Sequence, residues 1–191
     1  MLDMAVHALT WVVAVAGPAR QVTAFARTAV PTRQIAGQTL DVDIDDNVTV
    51  LLDFGDGVLG NVIANYVTVA DAAPTFDVFG TEGTIHVGAP QAQMMQFSRG
   101  ASYLGQSGWL TPTVFAGHRA QPLAAPGRGD GGETPPHSSI GHFVDCLAED
   151  REPVPSGEIA RHVLEIMVRA AEAARTGQTQ SLETTFAHRG G

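Results

Sequence analysis

The sequence has 191 residues, and its 11 basic and 20 acidic side chains give a formal net charge of −9 at pH 7. Every basic residue is an arginine, which excludes Schiff-base chemistry on a lysine and a P-loop lysine. The acidic balance also argues against a nucleic-acid or anionic-membrane partner, because both are bound by cationic surface. Charged residues make up only 16% of the sequence, which indicates that some apolar surface faces a partner.

The first predicted element is a helix over residues 1–16, because apolar residues recur at steps of three and four and Gly17-Pro18 ends the pattern. This helix is under way at the first residue without a capping side chain, so we expect the sequence to be truncated relative to a longer protein. The longest apolar run, over residues 9–17, is shorter than the roughly 20 residues of a membrane span. With a single cysteine and no targeting segment, the predicted location is cytoplasmic.

Residues 21–97 change to a β pattern, with β-branched runs separated by turn residues. The predicted strands cover residues 22–26, 48–54, 58–67, 76–79, 84–87 and 94–97. Consecutive hairpins predict an antiparallel sheet. Several of these strands are apolar on both faces, so we expect helices on one face and a second subunit on the other.

A long loop is predicted over residues 117–136, followed by two helices and a last strand over residues 180–186. Ser139 is predicted to cap the first helix and Ser156 the second. The second helix carries one predicted apolar stripe, made of Ala160, Val163, Leu164, Met167, Ala171 and Ala174.

A glycine motif, Gly55-Asp-Gly57-Val-Leu-Gly60, matches the dinucleotide-binding fingerprint and has Asp77 about twenty residues later. That fingerprint requires a helix immediately after it, whose N-terminal amides hold the pyrophosphate. The residues that follow are rich in β-branched side chains, so a hairpin turn is the preferred interpretation. We therefore predict no cofactor-binding residues and no Rossmann domain in this chain.

Asp3 and His7 are spaced i,i+4 on the first helix, which places them on one face. A carboxylate there can orient an imidazole for general acid/base work on a hydroxyl or carbonyl. Spacing alone also fits a solvent-exposed hydrogen bond near a helix start. A metal site on Asp3 and His7 would need a third ligand, and the candidates are the distant histidines His86, His137 and His142. None of them stands at a spacing typical of metal ligands, so no metal is predicted.

Three further residues are candidate substrate contacts. His137 and His142 flank the start of the penultimate helix beside the long loop, where they either line a pocket or serve a structural role. Tyr66 ends a predicted strand, where its hydroxyl either reaches a ligand or covers a sheet edge.

Six segments in order resemble the glucose–fructose oxidoreductase / inositol dehydrogenase / MocA family. They are the Asp3-x-x-x-His7 helix with Trp11 and Gly17-Pro18, Asp46-Asn47-Val48 before the strand pair around Gly55-Asp-Gly57, Phe79-Gly-Thr-Glu-Gly-Thr-Ile85, His142-Phe143, Pro153-Val-Pro155, and Ala174-Arg-Thr-Gly177. The resemblance extends over nearly the whole chain, from about residue 1 to residue 186.

The resemblance implies the C-terminal domain of an NAD(P)-dependent oxidoreductase, an α+β fold with an open, mainly antiparallel sheet and helices packed on one face. It implies that His7 donates or accepts the proton of the reacting oxygen and that Asp3 contacts substrate and orients His7. A sugar or polyol is the implied substrate, and the bare sheet face is implied to mediate homo-oligomers.

The family's N-terminal dinucleotide-binding domain and its Glu-Lys-Pro motif have no counterpart in these residues. We therefore expect one substrate-binding and oligomerisation domain over residues 1–186, a disordered tail over 187–191, and no NAD or NADP bound by this chain alone. The predicted function is the substrate half of a sugar-type dehydrogenase, inactive alone, with the cofactor domain possible in trans. The alternative is a non-catalytic binding or self-association domain derived from the same family.

Overall fold

The structure is a computed structural model that describes residues 2–66, 68, 76–88, 95–98, 108–109 and 139–188. Contacts divide the chain into two compact units, Met1–Val69 with Pro135–Gly191, and Ala70–Thr134. The predicted loop over residues 117–136 lies outside the described residues. The single domain over 1–186 stays a prediction.

The first unit contains a four-stranded antiparallel sheet, a separate hairpin and three helices. In chain order its elements are α1 (Leu2–Ala16), β1 (Gln21–Arg27), β2 (Thr32–Ile35), β3 (Gln38–Asp41), β4 (Asn47–Gly55), β5 (Val58–Asn65), α2 (Ser139–Ala148), α3 (Gly157–Thr176) and β9 (Gln180–Ser181). The sheet has the order β5-β4-β1-β9, while β2 and β3 pair only with each other.

The alternation of buried and exposed residues along β1 and β4 decides which face of this sheet forms the core. Val22 pairs with Leu52 and Ala24 with Val50, and all four side chains are buried. They meet α1 and α3, which lie side by side, with α1 against β5 and α3 against β1 and β9. The predicted fold class is therefore confirmed, with an open antiparallel sheet and helices on one face.

α1 is anchored in the core through Ala5, Leu9 and Val13, which recur at steps of four and are at most 1% exposed. Gly17 ends the helix with φ +85°, and its N–H donates to the Val13 carbonyl. Beyond residue 186, the His188 ring lies close to Gly17, and its Nε2 is 3.3 Å from the Ala14 carbonyl oxygen.

α3 begins as predicted, because the Ser156 hydroxyl accepts a hydrogen bond from the Ile159 N–H at 3.3 Å. Its predicted apolar stripe is correct for Val163 and Met167 and wrong for Ala160, Leu164 and Ala171, which are exposed. The buried face lies slightly further round the helix and is formed by His162, Val163, Ile166, Met167, Ala170 and Ala173. The periodicity of apolar residues could not locate this face, because one of its members is a histidine.

The second unit contains a three-stranded antiparallel sheet in the order β6-β7-β8, made of β6 (Phe76–Phe79), β7 (Thr84–Val87) and β8 (Met95–Ser98). The predicted hairpin over residues 76–87 and the edge strand are confirmed. The hairpin of β2 and β3 is not among the predicted strands, and the last strand is two residues long rather than seven. Among the described residues, no helix is long and apolar enough to cross a membrane.

Candidate functional site

The outer face of α1 carries His7. The helix buries Ala5 and Leu9 on its inner side, which leaves His7 exposed and places Trp11, one turn later, on the same exposed side. The helix is packed against both β5 and α3, so the imidazole is presented on a rigid support. Asp3 lies in the first turn of α1, but its side chain lies outside the described part of the chain. The predicted contact between these two side chains therefore stays a prediction.

Tyr66 follows β5 directly and is 64% exposed. Its backbone N–H donates to the Asp46 carbonyl at 2.9 Å. The guanidinium of Arg33 lies over the phenol ring, with its carbon 4.5 Å from the ring centroid. The ring is therefore held on one side while the rest of the side chain faces solvent.

Arg33 is itself fixed by Asp46, a buried carboxylate whose Oδ2 lies 2.8 Å from the Arg33 guanidinium. The backbone N–H groups of Ala29 and Val30 also donate to this carboxylate, at 2.6 and 3.2 Å. The hydrogen bond from Ala29 is the largest cause that lowers the pKa of Asp46, opposed by burial and assisted by Arg33 and Val30. Asp46 thus stays ionised and positions Arg33 against Tyr66.

This support of Tyr66 was not predicted from the sequence. Arg33 lies in a strand that the sequence pattern did not indicate, and Asp46 was considered only as part of a family motif. The one available signal is the aspartate itself, which stands immediately before a strongly alternating strand.

His142 lies on α2 and contacts its own helix and the following loop. Its Nε2 accepts a hydrogen bond from the Val154 N–H at 3.0 Å and lies 3.5 Å from the sulfur of the buried Cys146. Since Nε2 is the acceptor, the ring proton is on Nδ1. These contacts fit the structural role that the sequence left open for His142, and a substrate contact stays a prediction.

His137 lies outside the described residues. Within the described part of the chain, no hydrogen bond or ion pair joins His7, Tyr66 and His142 to one another, so the structure does not bring these predicted site residues into direct contact. No group of three or more histidine, cysteine, aspartate or glutamate residues among the described ones could hold a metal ion.

The glycine motif forms the turn between β4 and β5. Gly55 and Gly57 both have φ +82° and Asp56 has φ +54°, conformations that glycine and aspartate tolerate best. A strand follows rather than a helix, so no helix N-terminus is available for a pyrophosphate. A Cβ on Gly60 would lie 3.1 Å from the Val12 side chain of α1, which makes this glycine a packing residue. The motif does not fit a dinucleotide.

A buried network links α3 to the segment between α1 and β1, and no pattern in the sequence indicated it. His162 Nε2 accepts from the Ala19 N–H at 3.0 Å, and Nδ1 lies 2.9 Å from the Thr184 hydroxyl. That hydroxyl donates to Glu165, which also accepts from the backbone N–H groups of Thr184 and Glu183 at 2.8 and 2.9 Å. Three segments of the chain, those of Ala19, of α3 and of Glu183-Thr184, are thereby joined.

The ionisation of this network follows from its surroundings. Burial lowers the pKa of His162, and the charge of Glu165 opposes that shift. Burial raises the pKa of Glu165, but hydrogen bonds from Thr184 and Glu183 outweigh it, so the pKa lies below its ordinary value. Neutral His162 and ionised Glu165 are the stable pair.

Two cavities lie beside α1. One of about 440 Å³ adjoins its C-terminal end and is lined by residues that include Arg20, Phe54 and His188. The other, of about 140 Å³, is an apolar groove between α1 and α3, lined by Val6 and Leu164 among others. Neither cavity is lined by His7, Tyr66 or His142.

Comparisons with known proteins agree with this architecture. Residues 1–86 match the family described as GFO/IDH/MocA C-terminal domain. Among curated proteins no match is found.

Solved oxidoreductases share the fold. The apo form of levoglucosan dehydrogenase superposes with a TM-score of 0.79 at 21% identity, covering 96% of this chain and 51% of that one. An NAD binding oxidoreductase from Klebsiella pneumoniae superposes with a TM-score of 0.76 at 20% identity, covering 95% of this chain and 50% of that one. An oxidoreductase from Agrobacterium radiobacter, solved in complex with NAD+, L-tartaric acid and magnesium, superposes with a TM-score of 0.66 at 20% identity. The superposition covers 94% of this chain and 48% of that one.

The chain spans about half the length of the solved structures that it matches. No Rossmann fold is evident among its described residues, whose open sheet and covering helices correspond to the C-terminal half of those proteins. Residues 1–86 are therefore similar to the family described as GFO/IDH/MocA C-terminal domain, and the described residues share their fold with about half of each of these solved oxidoreductases.

Proposed function

We propose that this chain supplies the substrate-side half of an NAD(P)-dependent oxidoreductase that acts on a sugar, a polyol or a related hydroxyl or carbonyl compound. The observation that carries the proposal is the exposed imidazole of His7 on a helix whose opposite side is locked into the core. An acid/base group needs this combination of access and rigid support. Proteins of the same fold support the substrate class, since levoglucosan dehydrogenase has been solved in complex with NADH and L-sorbose and in complex with NADH and levoglucosan.

In this proposal His7 removes the proton of the substrate hydroxyl during oxidation and returns it during reduction. Asp3, one helical turn earlier, contacts substrate and orients the ring, and Tyr66, stacked on Arg33, bounds the substrate. His137 and His142 are proposed substrate contacts from the neighbouring loop and helix. NAD(P) would accept or supply the hydride in the complete enzyme, and we propose that another domain, in the same protein or in trans, holds it.

The first experiment titrates the purified chain with NADH and NADPH and follows nicotinamide fluorescence. We expect no saturable binding up to about 1 mM, because the glycine motif is a turn between two strands. Saturable binding would contradict the assignment of the cofactor to another domain.

The role of His7 is tested by His7→Ala in the complete oxidoreductase. Loss of a general acid/base costs about 10²- to 10⁴-fold in kcat, with cofactor binding unchanged. His188→Ala is a matched control, since this exposed imidazole lies at the other end of α1. Turnover that is retained in the His7 variant would rule out the proposed role.

A second candidate function is self-association without catalysis, and the bare face of the four-stranded sheet favours it. Phe25 and Leu59 are 74% and 77% exposed there, and Leu51 and Ile63 are exposed beside them. Monomeric proteins rarely expose an apolar surface of this kind. Both candidate functions are compatible with this exposed face. Only the first predicts that His7→Ala lowers the turnover of the complete oxidoreductase, so that measurement distinguishes them.

A further inference from the structure

The larger of the two cavities beside α1 has a volume of about 440 Å³, within the range of small-molecule pockets. Its walls include Ala16 at the end of α1, Arg20 just before β1, Phe54 on β4 and Leu182 after β9. His7 stands nine residues before Ala16 on the same helix, roughly 13 Å away along the helix axis. The cavity is therefore separate from the proposed acid/base group.

Arg20 is held in the cavity wall by its backbone and by a glycine. Its N–H donates to the Asp53 carbonyl at 2.7 Å, and its own carbonyl accepts from the Leu182 N–H at 2.9 Å. A Cβ on Gly55 would overlap the Arg20 guanidinium, which therefore occupies space that only a glycine leaves open. The guanidinium is 64% exposed, and its Nη2 lies 3.2 Å from Oδ2 of Asp56, which is 87% exposed. Exposed ion pairs of this kind are weak, so the carboxylate of a ligand can replace Asp56.

The end of α1 brings negative charge to the same cavity. Aligned peptide dipoles give the C-terminus of a helix a partial negative charge, and α1 has no basic residue in its last turn to balance it. Glu183 also lines the cavity, and its exposed carboxylate lies 3.7 Å from Arg169 Nη2. His188 Nε2 is 3.3 Å from the Ala14 carbonyl oxygen, which can only accept, so Nδ1 of the neutral ring is an acceptor. The cavity thus combines a guanidinium on one wall with acceptors on others.

We propose that this cavity binds a free α-amino acid. The carboxylate of the ligand pairs with the Arg20 guanidinium, which is shaped to hold a carboxylate through two hydrogen bonds. The ammonium group lies against the end of α1 and the Glu183 carboxylate, and the side chain packs on Phe54 and Leu182. This site goes beyond the function proposed for α1 and does not depend on His7.

The charges around the cavity select a zwitterion. The net charge of −9 and the end of α1 both disfavour a simple anion. A simple cation would be repelled by Arg20. An amino acid carries no net charge and presents one charge to each wall. Phe54 is 7% exposed and Leu182 is partly buried, so the apolar part of the cavity favours an aliphatic side chain such as that of leucine.

The test titrates the isotope-labelled full chain with L-leucine and follows its backbone amide signals in two-dimensional NMR spectra. The amides of Gly17, Leu182 and Thr185, which line the cavity, locate the binding. We expect saturable shifts at these amides with a Kd of about 0.1–10 mM. Isocaproate, which is leucine without its amino group, and isoamylamine, which is leucine without its carboxylate, should each bind at least about tenfold more weakly, because each lacks one of the two charged groups.

Three variants test the assigned contacts. Arg20→Gln should raise the Kd for L-leucine about tenfold, because it removes the guanidinium. Asp56→Asn should lower the Kd about two- to fivefold, because it removes the carboxylate that competes for Arg20. A gain in affinity cannot result from a loss of folding. Arg175→Gln is the matched control at the exposed end of α3 and should leave the Kd unchanged.

The outcomes separate this site from the function proposed for α1. An unchanged Kd in His7→Ala supports a separate site, even if the catalytic role of His7 is disproved. The proposal is overturned if L-leucine gives no saturable shift, if isocaproate or isoamylamine binds equally well, or if Arg20→Gln has the same Kd as Arg175→Gln. A Kd raised tenfold by His7→Ala would place the probe at His7 and overturn it as well.

Discussion

The Nε2 atom of His162 accepts a hydrogen bond from the backbone N–H of Ala19 across 143 positions of the sequence. This bond joins α3 to the segment that leads from α1 into β1. The α1 helix presents His7, so the geometry of the proposed acid/base group depends on a buried histidine at the other end of the chain. Since a backbone N–H can only donate, His162 must be unprotonated at Nε2 for the bond to exist.

The stability of the fold should therefore fall as the pH is lowered. The pKa of folded His162 lies below its ordinary value of 6.5, so the unfolded chain binds a proton more readily. The contribution of His162 is complete above the unfolded value and is lost as the pH falls below it. We expect His162→Gln to be less stable than wild type at about pH 7.5 and to show a flatter pH dependence below it. Urea unfolding at a series of pH values measures this, and an equal slope in both proteins would contradict it.

The Thr184 hydroxyl connects His162 Nδ1 to Glu165. Thr184→Val preserves the shape of the side chain but leaves the buried His162 Nδ1 and the partly buried Glu165 carboxylate without this partner, which costs about 1–3 kcal/mol of unfolding free energy. Thr185→Val is the matched control, because this neighbour is exposed and should change stability by less than about 0.5 kcal/mol. Chemical unfolding of both variants compares them, and equal effects would argue against the network.

Gly60 should resist replacement even by alanine. A Cβ there would lie 2.9 Å from the Phe54 ring and 3.1 Å from the Val12 side chain, so α1 and the sheet would have to separate. We expect Gly60→Ala to lose about 1–3 kcal/mol of unfolding free energy. Gly157→Ala serves as control, since open space surrounds that position at the start of α3. Thermal and urea unfolding of the two variants give the comparison, and a neutral Gly60→Ala would show that the helix can shift freely.

The bare sheet face should mediate self-association. Phe25, Thr49 and Ile63 form one cross-strand row on it. We expect Ile63→Asp to shift the wild-type oligomer to monomer, because a charge would have to be desolvated in the interface. Val168→Asp, on an exposed position of α3, should leave the oligomer unchanged. Sedimentation velocity measures both, and a monomeric wild-type chain at about 50 µM would refute this role of the face.

Much of the fold could be predicted from local patterns. Apolar residues alternate along β4 and β5 with the two-residue repeat of a strand. Ser156 and Gly177 cap α3 through hydrogen bonds to residues three or four positions away. The β2–β3 hairpin was not predicted because its strands are only four residues long and exposed throughout most of their length, so they carry no apolar alternation. The buried face of α3 was misplaced because His162 belongs to it.

The sequence by itself thus determined the helices, the main hairpins, the turn character of the glycine motif and the family likeness, since each depends on residues close together in the chain. Only the tertiary structure decided that α1 packs closely over Gly60 and that Arg33 stacks on Tyr66. The same holds for the hydrogen bond from Ala19 to His162 and for the contacts of His86 with Asp77 and Trp109. These relationships depend on which faces of distant elements pack together. Packing is a property of the whole fold, and no local pattern of residue types encodes it.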